Sequence, residues 1–310
     1  MPFDFAAVSA PFRMQPGLRR LAPRAQQLTP NRLGDRALVE KLAVLSAHAD
    51  QALLSTPGFD AIPALGALAA HAVAEHPEAF AWDGGDHYQA RHLGWSVQAG
   101  TVVGDGPAEI GACLRALPPD WRAAALLALA FAEDCAVIDG TTARIPWLAV
   151  CLPSHWSPED KIGRHFAQVH APVADNQILI AASDHLARLV TGTDRWERFV
   201  WTVTRHPNLS QHPQRCSTAP WPIDADADTL AERAFFRTER QTFIPLPEHA
   251  QAIFTIHVEM QRLTDAITLP EQARQLHAAI ASMSPAVLAY RSLTGARERL
   301  LAWLTVRAGA

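Results

Sequence analysis

The chain has 310 residues, 49% of them hydrophobic and 19% charged, with a formal charge of −4. That is a globular composition, long enough for one large domain or two ordinary ones. It carries no basic excess suited to nucleic acid, no run of about 18 apolar residues to span a membrane, and no basic export signal in the opening Met1-Pro2-Phe3-Asp4-Phe5. Four cysteines without paired spacing, Cys113, Cys135, Cys151 and Cys216, read as reduced thiols in a cytoplasmic protein.

In chain order, residues 1–30 are rich in Pro, Arg and Gln and read as an extended arm laid on a body. Asn31 to Leu54 repeats apolar residues at helical period (Leu38, Val39, Leu42, Leu45), and an Ala-rich helix follows over 61–75. Asp83-Gly84-Gly85-Asp86 is a turn, and helices are predicted over 107–116 and 119–131. Thereafter the period changes. Strands are predicted at Cys135–Asp139, Trp147–Leu152, Arg198–Arg205, Ala234–Ile244 and Ala252–Met260, with two helices between the second and third. One helix opens at Ser157-Pro158-Glu159-Asp160 and ends near His170, because Pro172 disfavours helical geometry at Ala171; the other covers Ile178–Val190. His206 to Asp228, with four prolines, is a long loop, and helices over 270–282 and 295–307 close the chain. Two strands, two helices and three antiparallel strands resemble the order of a PAS-type sensor fold. The expected class is therefore α+β: a PAS-like five-stranded antiparallel sheet at 134–260 with helical extensions, in a single domain over 1–310.

The chemistry-bearing motifs are mostly absent: no Gly-x-Ser-x-Gly elbow, Walker A loop or His-Glu-x-x-His pair occurs. Gly104-Asp105-Gly106 followed by Gly111 has the wrong spacing for a dinucleotide fingerprint. Of fourteen histidines, His155, His165 and His170 cluster around one strand–helix unit. His165 and His170 lie about 140° apart on a helix, so at most one faces a given metal. His170, at the helix stop, is the better placed. In Phe235–Phe243 the alternation sets Arg237, Glu239 and Gln241 on one face and Thr238, Arg240 and Thr242 on the other. This is either an exposed edge strand with self-paired charges or the lining of a polar pocket.

Three motifs carry a family resemblance: Cys151-Leu-Pro-Ser-His-Trp-Ser-Pro-Glu-Asp-Lys-Ile-Gly-Arg164 continuing to Val169-His-Ala-Pro-Val173, Arg237-Thr-Glu-Arg-Gln-Thr242, and Ala252-Ile-Phe-Thr-Ile-His257. In this order they resemble the α subunit of haem-dependent oxidative N-demethylases, over residues 15–305. The resemblance implies a haem-b-binding PAS-like fold that removes a methyl group from a small, dimethylamine-like secondary amine, consuming O₂ and yielding formaldehyde equivalents. It implies electrons from NADPH through a separate reductase subunit carrying FMN and a [2Fe–2S] cluster, which agrees with the lack of a cysteine quartet here. Carried over residue by residue, it makes His170 the axial ligand of the haem iron, with Cys151 the competitor. Lys161 and Arg164 stand either as partners of the haem propionates or as ordinary surface charge, and Arg240 joins the cofactor group. Glu239 suits an aminium substrate, Arg237 either bonds Glu239 or polarises bound dioxygen, Gln241 shares their face, and Trp201 and His257 are pocket walls. Ala174 stands where the family pattern implies a second proline, which leaves open a changed substrate or lost catalysis. The alternative functions are a haem-based gas or redox sensor without turnover and a haem-free interaction module.

Overall fold

The computed structural model describes residues 3–217 and 219–309. Its strands are β1 (Arg19–Arg20), β2 (Leu53–Ser55), β3 (Phe80–Trp82), β4 (His87–Ala90), β5 (Trp95–Gln98), β6 (Thr101–Gly104), β7 (Asp134–Asp139), β8 (Arg144–Ala149), β9 (Trp196–Thr204), β10 (Phe235–Leu246) and β11 (Gln251–Arg262). The helices are α1 (Arg36–Ala52), α2 (Ile62–Glu75), α3 (Ala108–Ala116), α4 (Pro119–Ala130), α5 (Phe166–His170), α6 (Gln177–Ala181), α7 (Ser183–Val190), α8 (Ala227–Arg233), α9 (Leu263–Ala266), α10 (Pro270–Ala281), α11 (Pro285–Tyr290) and α12 (Arg297–Arg307). None of the described helices is long and apolar enough to cross a membrane.

The chain is α+β, with a seven-stranded sheet in the order β1-β9-β10-β11-β7-β8-β2 and a four-stranded sheet β3-β4-β5-β6, every pairing antiparallel. The five predicted strands are the contiguous centre of the large sheet. They do not make the whole of it: β1 joins β9 and β2 joins β8. The second strand is shifted, beginning at Arg144 and ending at Ala149. Pro146 is accommodated beside a register irregularity between Val137 and Asp139, which removes the need for the proline to donate. Cys151 and Leu152 leave the sheet, because the Leu152 amide donates to Asp134 Oδ2 at 2.6 Å instead.

Register decides which side chains share a face. Arg237, Glu239 and Gln241 stand opposite Thr202, Val200 and Arg198, so these six point to one side of the sheet. On that side Phe166 of α5 and Ala187 and Val190 of α7 pack on Ile138, Phe243 and Ala252, while Val169 packs with Ala136 and Leu148. The opposite side carries the two largest apolar groups. One joins the N-terminal helices and the small sheet to Val137, Trp147 and Ile253; the other joins Phe3, Phe5, Phe12 and the C-terminal helices to Trp201, Val203 and Phe236. One continuous sheet therefore bears both.

Candidate functional site

The segment that carries His170 is not one helix. Pro158–Asp160 is a single 3₁₀ turn, Gly163 has φ +69°, and residues 163–166 run alongside the start of β8. Gly163 N donates to Ile145 O at 2.7 Å, and Phe166 N to Ala143 O at 2.7 Å. Only then does α5 begin. His165 caps it: its Nδ1 accepts from Ala167 N at 3.2 Å while Gln168 Oε1 accepts from His165 N at 3.1 Å. His165 Nε2 faces Asp184 at 3.0 Å, so both of its nitrogens are engaged.

His170 ends α5 as the proline predicts, and Asn176 Nδ2 donates to its carbonyl at 3.1 Å. A carbonyl can only accept, so His170 Nδ1, 2.8 Å from Phe166 O, carries the proton and Nε2 keeps its lone pair. Burial, reinforced by the charges of Arg198 and Lys161 and opposed by the Phe166 carbonyl, pushes the His170 pKa down to about 4. The imidazole is therefore neutral near pH 7, half-buried and fixed. Cys151, the competing ligand, is fully buried in the apolar core, and burial pushes its thiol far up, which disfavours the thiolate a metal needs.

Across the sheet face lies the polar row of β10. Arg237 is 1% exposed and bonds no carboxylate among the described residues. Its Nη1 donates to Leu209 O at 2.8 Å, its Nη2 to Leu152 O at 3.1 Å and its Nε to Ser154 Oγ at 2.7 Å. Ser154 in turn donates to Glu239 Oε1, and Gln241 Nε2 donates to Glu239 Oε2 at 2.6 Å. Arg237 thus neither bonds Glu239 directly nor has its buried fork free for dioxygen. It staples two loops to the sheet and reaches Glu239 through Ser154. Arg237 and Glu239 are buried, Gln241 is half-buried and β10 is paired on both sides, which removes the edge-strand reading.

Arg198, which the sequence reading did not single out, is the cation between the two halves. It stands opposite Gln241 in register, lines a small void with Phe166 and Phe243, and its charge bears on both His170 and Glu239. Its Nε is buried without a hydrogen-bond partner, and among the described residues its guanidinium has no ion-pair partner. Lys161 Nζ donates to Val169 O at 2.8 Å at the end of α5, and burial lowers its pKa; Arg164 is exposed. An open cleft of about 300 Å³ lies at the C-terminal end of β9, lined by His155, His206, Cys216, Trp221, Arg291 and Ser292 among others.

Three expected site residues point the other way. Arg240 stands opposite Phe199 and His257, and Thr238 opposite Trp201, so Arg240, Trp201 and His257 share the face away from Glu239. There Arg240 bonds Glu197 at 3.0 Å and Gln26 O at 2.7 Å, holding the N-terminal arm. Trp201 stacks on Phe236 with ring centroids 6.0 Å apart, and His257 Nδ1 bonds Glu133 at 2.8 Å. At these positions they face away from Glu239 and do not wall its site.

A second buried charge group steadies the site from the same sheet face, where Asp134 stands in register with Ile256 and Gln241. Lys41 Nζ, fully buried, lies 3.2 Å from Asp134 Oδ1 and donates to the carbonyls of Ala128, Phe131 and Glu133. Asp134 Oδ2 holds the Leu152 amide while Arg237 holds the Leu152 carbonyl, so the loop bearing Ser154 is fixed at both polar groups of one residue. A lysine in the buried stripe of α1, three residues after Leu38, is the sequence signal that could have found it.

The donor set fits a haem: a neutral, anchored imidazole with Nε2 free, and the half-buried Arg198, whose buried Nε has no hydrogen-bond partner and would be matched by an acidic substituent. No curated protein matches the chain. The family model described as haem-dependent oxidative N-demethylase, alpha subunit-like, matches residues 37–301. The range takes in His170, Arg198, Arg237 and Glu239, and the chain belongs to the haem-dependent oxidative N-demethylase alpha-subunit-like family.

Proposed function

We propose that this chain is the haem-binding oxygenase component of an amine demethylase, a single domain with a PAS-like centre. The strand order β8-β7-β11-β10-β9 supports the PAS-like reading. The substrate is a small secondary amine of the dimethylamine kind. One methyl group leaves as formaldehyde while O₂ and two electrons are consumed and the second oxygen atom ends as water. The electrons come from NADPH through a partner reductase carrying flavin and an iron–sulfur cluster.

The observation that carries this reading is the pairing, on one sheet face, of an anchored neutral imidazole with a buried carboxylate that already accepts two hydrogen bonds. His170 offers Nε2 to the iron of haem b, and Arg198 and Lys161 are the cations near it suited to the propionates. When bound, the haem supplies the oxidising chemistry. The chain supplies the rest. Glu239 holds the aminium ion, which loses hydration on entering a buried site and needs an opposite charge there. Ser154 and Gln241 fix the plane of that carboxylate, and the walls of Phe166, Val200 and Phe243 on the same face exclude water.

The test is titration of the purified holoprotein with dimethylamine, followed by absorption and by turnover with a reductant. Glu239→Gln keeps the shape and removes the charge. It should retain haem, lose the amine-induced spectral change and turn over at least about tenfold more slowly, equivalent to roughly 1.4 kcal/mol. An unchanged amine response in the variant moves the cation site elsewhere. No amine response in the wild type, together with reversible binding of O₂, CO or NO, favours a sensor.

A further inference from the structure

We propose that Ser154 is a positioning residue for the cation site, acting on the substrate only through Glu239; the inference rests on Glu239 being the amine-binding carboxylate. It follows from an inventory of donors. A guanidinium has five N–H groups and no acceptor. Arg237 Nε therefore donates to Ser154 Oγ at 2.7 Å, and the serine oxygen is the acceptor there. The one hydroxyl hydrogen is left for Glu239, and it is directed at Oε1. Gln241 Nε2 takes the other carboxylate oxygen at 2.6 Å. Each oxygen of Glu239 has one fixed protein donor, and the order of polarity runs from the Arg237 cation through the hydroxyl to the carboxylate.

The serine cannot drift from this place. Gln211 N donates to Pro153 O at 2.9 Å and His155 N to Gln211 O at 3.0 Å, so the peptide groups on either side of Ser154 are tied to a residue that is itself fully buried. Two residues earlier, Leu152 is held by Asp134 and Arg237. Glu239 lies on a strand paired on both sides, so its backbone is equally fixed. What remains adjustable is the rotation of the carboxylate, and Ser154 and Gln241 set it. The carboxylate lone pairs left over then face a bound cation in one orientation, and little ordering is required when the amine arrives.

The experiment is calorimetric titration of the holoprotein with dimethylamine for wild type, Ser154→Ala, Ser154→Thr, Glu239→Gln and the double variant Ser154→Ala/Glu239→Gln. Ser154→Ala should keep its haem and its spectrum but bind the amine about tenfold more weakly, the size of one lost hydrogen bond to a charged group. In steady state the loss should appear in KM more than in kcat. Ser154→Thr, which keeps the hydroxyl, should restore binding, and the double variant should bind no more weakly than Glu239→Gln alone. Should the alanine variant fail to fold, Ser154→Cys, a weak donor of similar size, should show the same loss. Wild-type affinity in Ser154→Ala beside a defective Glu239→Gln overturns the inference, as does a double variant weaker than Glu239→Gln by the full effect of Ser154→Ala. Absence of amine binding by the wild type instead overturns the proposed function, and this inference with it.

Discussion

His170 Nδ1 donates to the carbonyl of Phe166 one turn back in α5, at 2.8 Å, and the two rings lie 4.3 Å apart. The bond assigns the tautomer, and Phe166, packed on Ile138, Phe243 and Ala252, holds the ring's neighbour against the sheet. A five-residue helix is too short to be rigid by itself. It is rigid here because His165 caps its start, Asn176 its end, and Phe166 and Val169 seat it on the sheet.

The first prediction follows from that anchoring. His170→Ala should lose the haem or leave it weakly ligated, seen as a lost or shifted Soret band. Phe166→Ala should do less: the carbonyl acceptor remains, but the lost packing should loosen α5 and speed haem loss to a scavenging protein. An unchanged spectrum and haem content in His170→Ala would remove the histidine as ligand.

The five central strands were legible because each alternates or runs apolar for at least five residues. The four-stranded sheet was not, since its strands are three or four residues long. Its first hairpin showed only as the turn at Asp83–Asp86. Its last turn places Ala99 at φ +47° and Gly100 at φ +75°, a pair of left-handed residues that an Asn-Gly dipeptide would have announced and Ala-Gly does not. Ile178–Val190 reads as one helix at constant period, yet Ala182 (φ −94°, ψ 2°) divides it. At the site, His170 and the row Arg237–Glu239–Gln241 could be read locally, from a proline and from alternation. Trp201 and His257 could not be sorted, because their face depends on cross-strand register, which no single strand encodes, whereas alternation alone sets Arg240 on the face away from Glu239. Arg198 and Ser154 are ordinary in sequence and gain their meaning only from what lies opposite.

The second prediction concerns Arg198. Arg198 is half-buried and its Nε is buried without a hydrogen-bond partner, which costs the protein stability. Arg198→Met should therefore raise the Tm of the haem-free protein by a few degrees. The same change should weaken haem retention, with loss to a scavenging protein at least about tenfold faster, if the guanidinium is matched by a haem carboxylate. A lower Tm with unchanged haem retention would make Arg198 a packing residue.

The third prediction is a pH dependence. Burial alone would depress the His257 pKa, but the hydrogen bonds and charges of Glu133 and Glu259 outweigh it and raise it from 6.5 to about 9. A raised histidine contributes stability that is complete below 6.5 and lost as pH rises through about 9. Glu133 also accepts from Thr29 N at 2.8 Å, so the pair straps the N-terminal arm to the sheet. Melting temperatures between pH 6 and 10 should fall more steeply for the wild type than for Glu133→Gln, which keeps the acceptor for Thr29 and removes the charge. Parallel curves would show that the pair is not coupled to folding.

The last prediction ties stability to the site. Lys41 is 0% exposed and Asp134 1%, so each charge depends on the other and on the three carbonyls around the ammonium. Lys41→Met leaves Asp134 buried and unmatched, a change that costs about 3–5 kcal/mol and lowers Tm by roughly 10 °C in a chain of this size. Asp134→Asn added to it should recover part of that loss, because the amide oxygen still accepts from Leu152 N while the charge is gone. Leu152 is held on one side by Asp134 and on the other by Arg237, two residues before Ser154. If Asp134 moves to find water in the Lys41→Met variant, Ser154 loses its setting and the amine should bind more weakly, even though position 41 touches nothing in the site. Amine titration of Lys41→Met at a temperature where it is fully folded reads this directly. Unchanged affinity there would show that the Lys41–Asp134 pair serves the core alone.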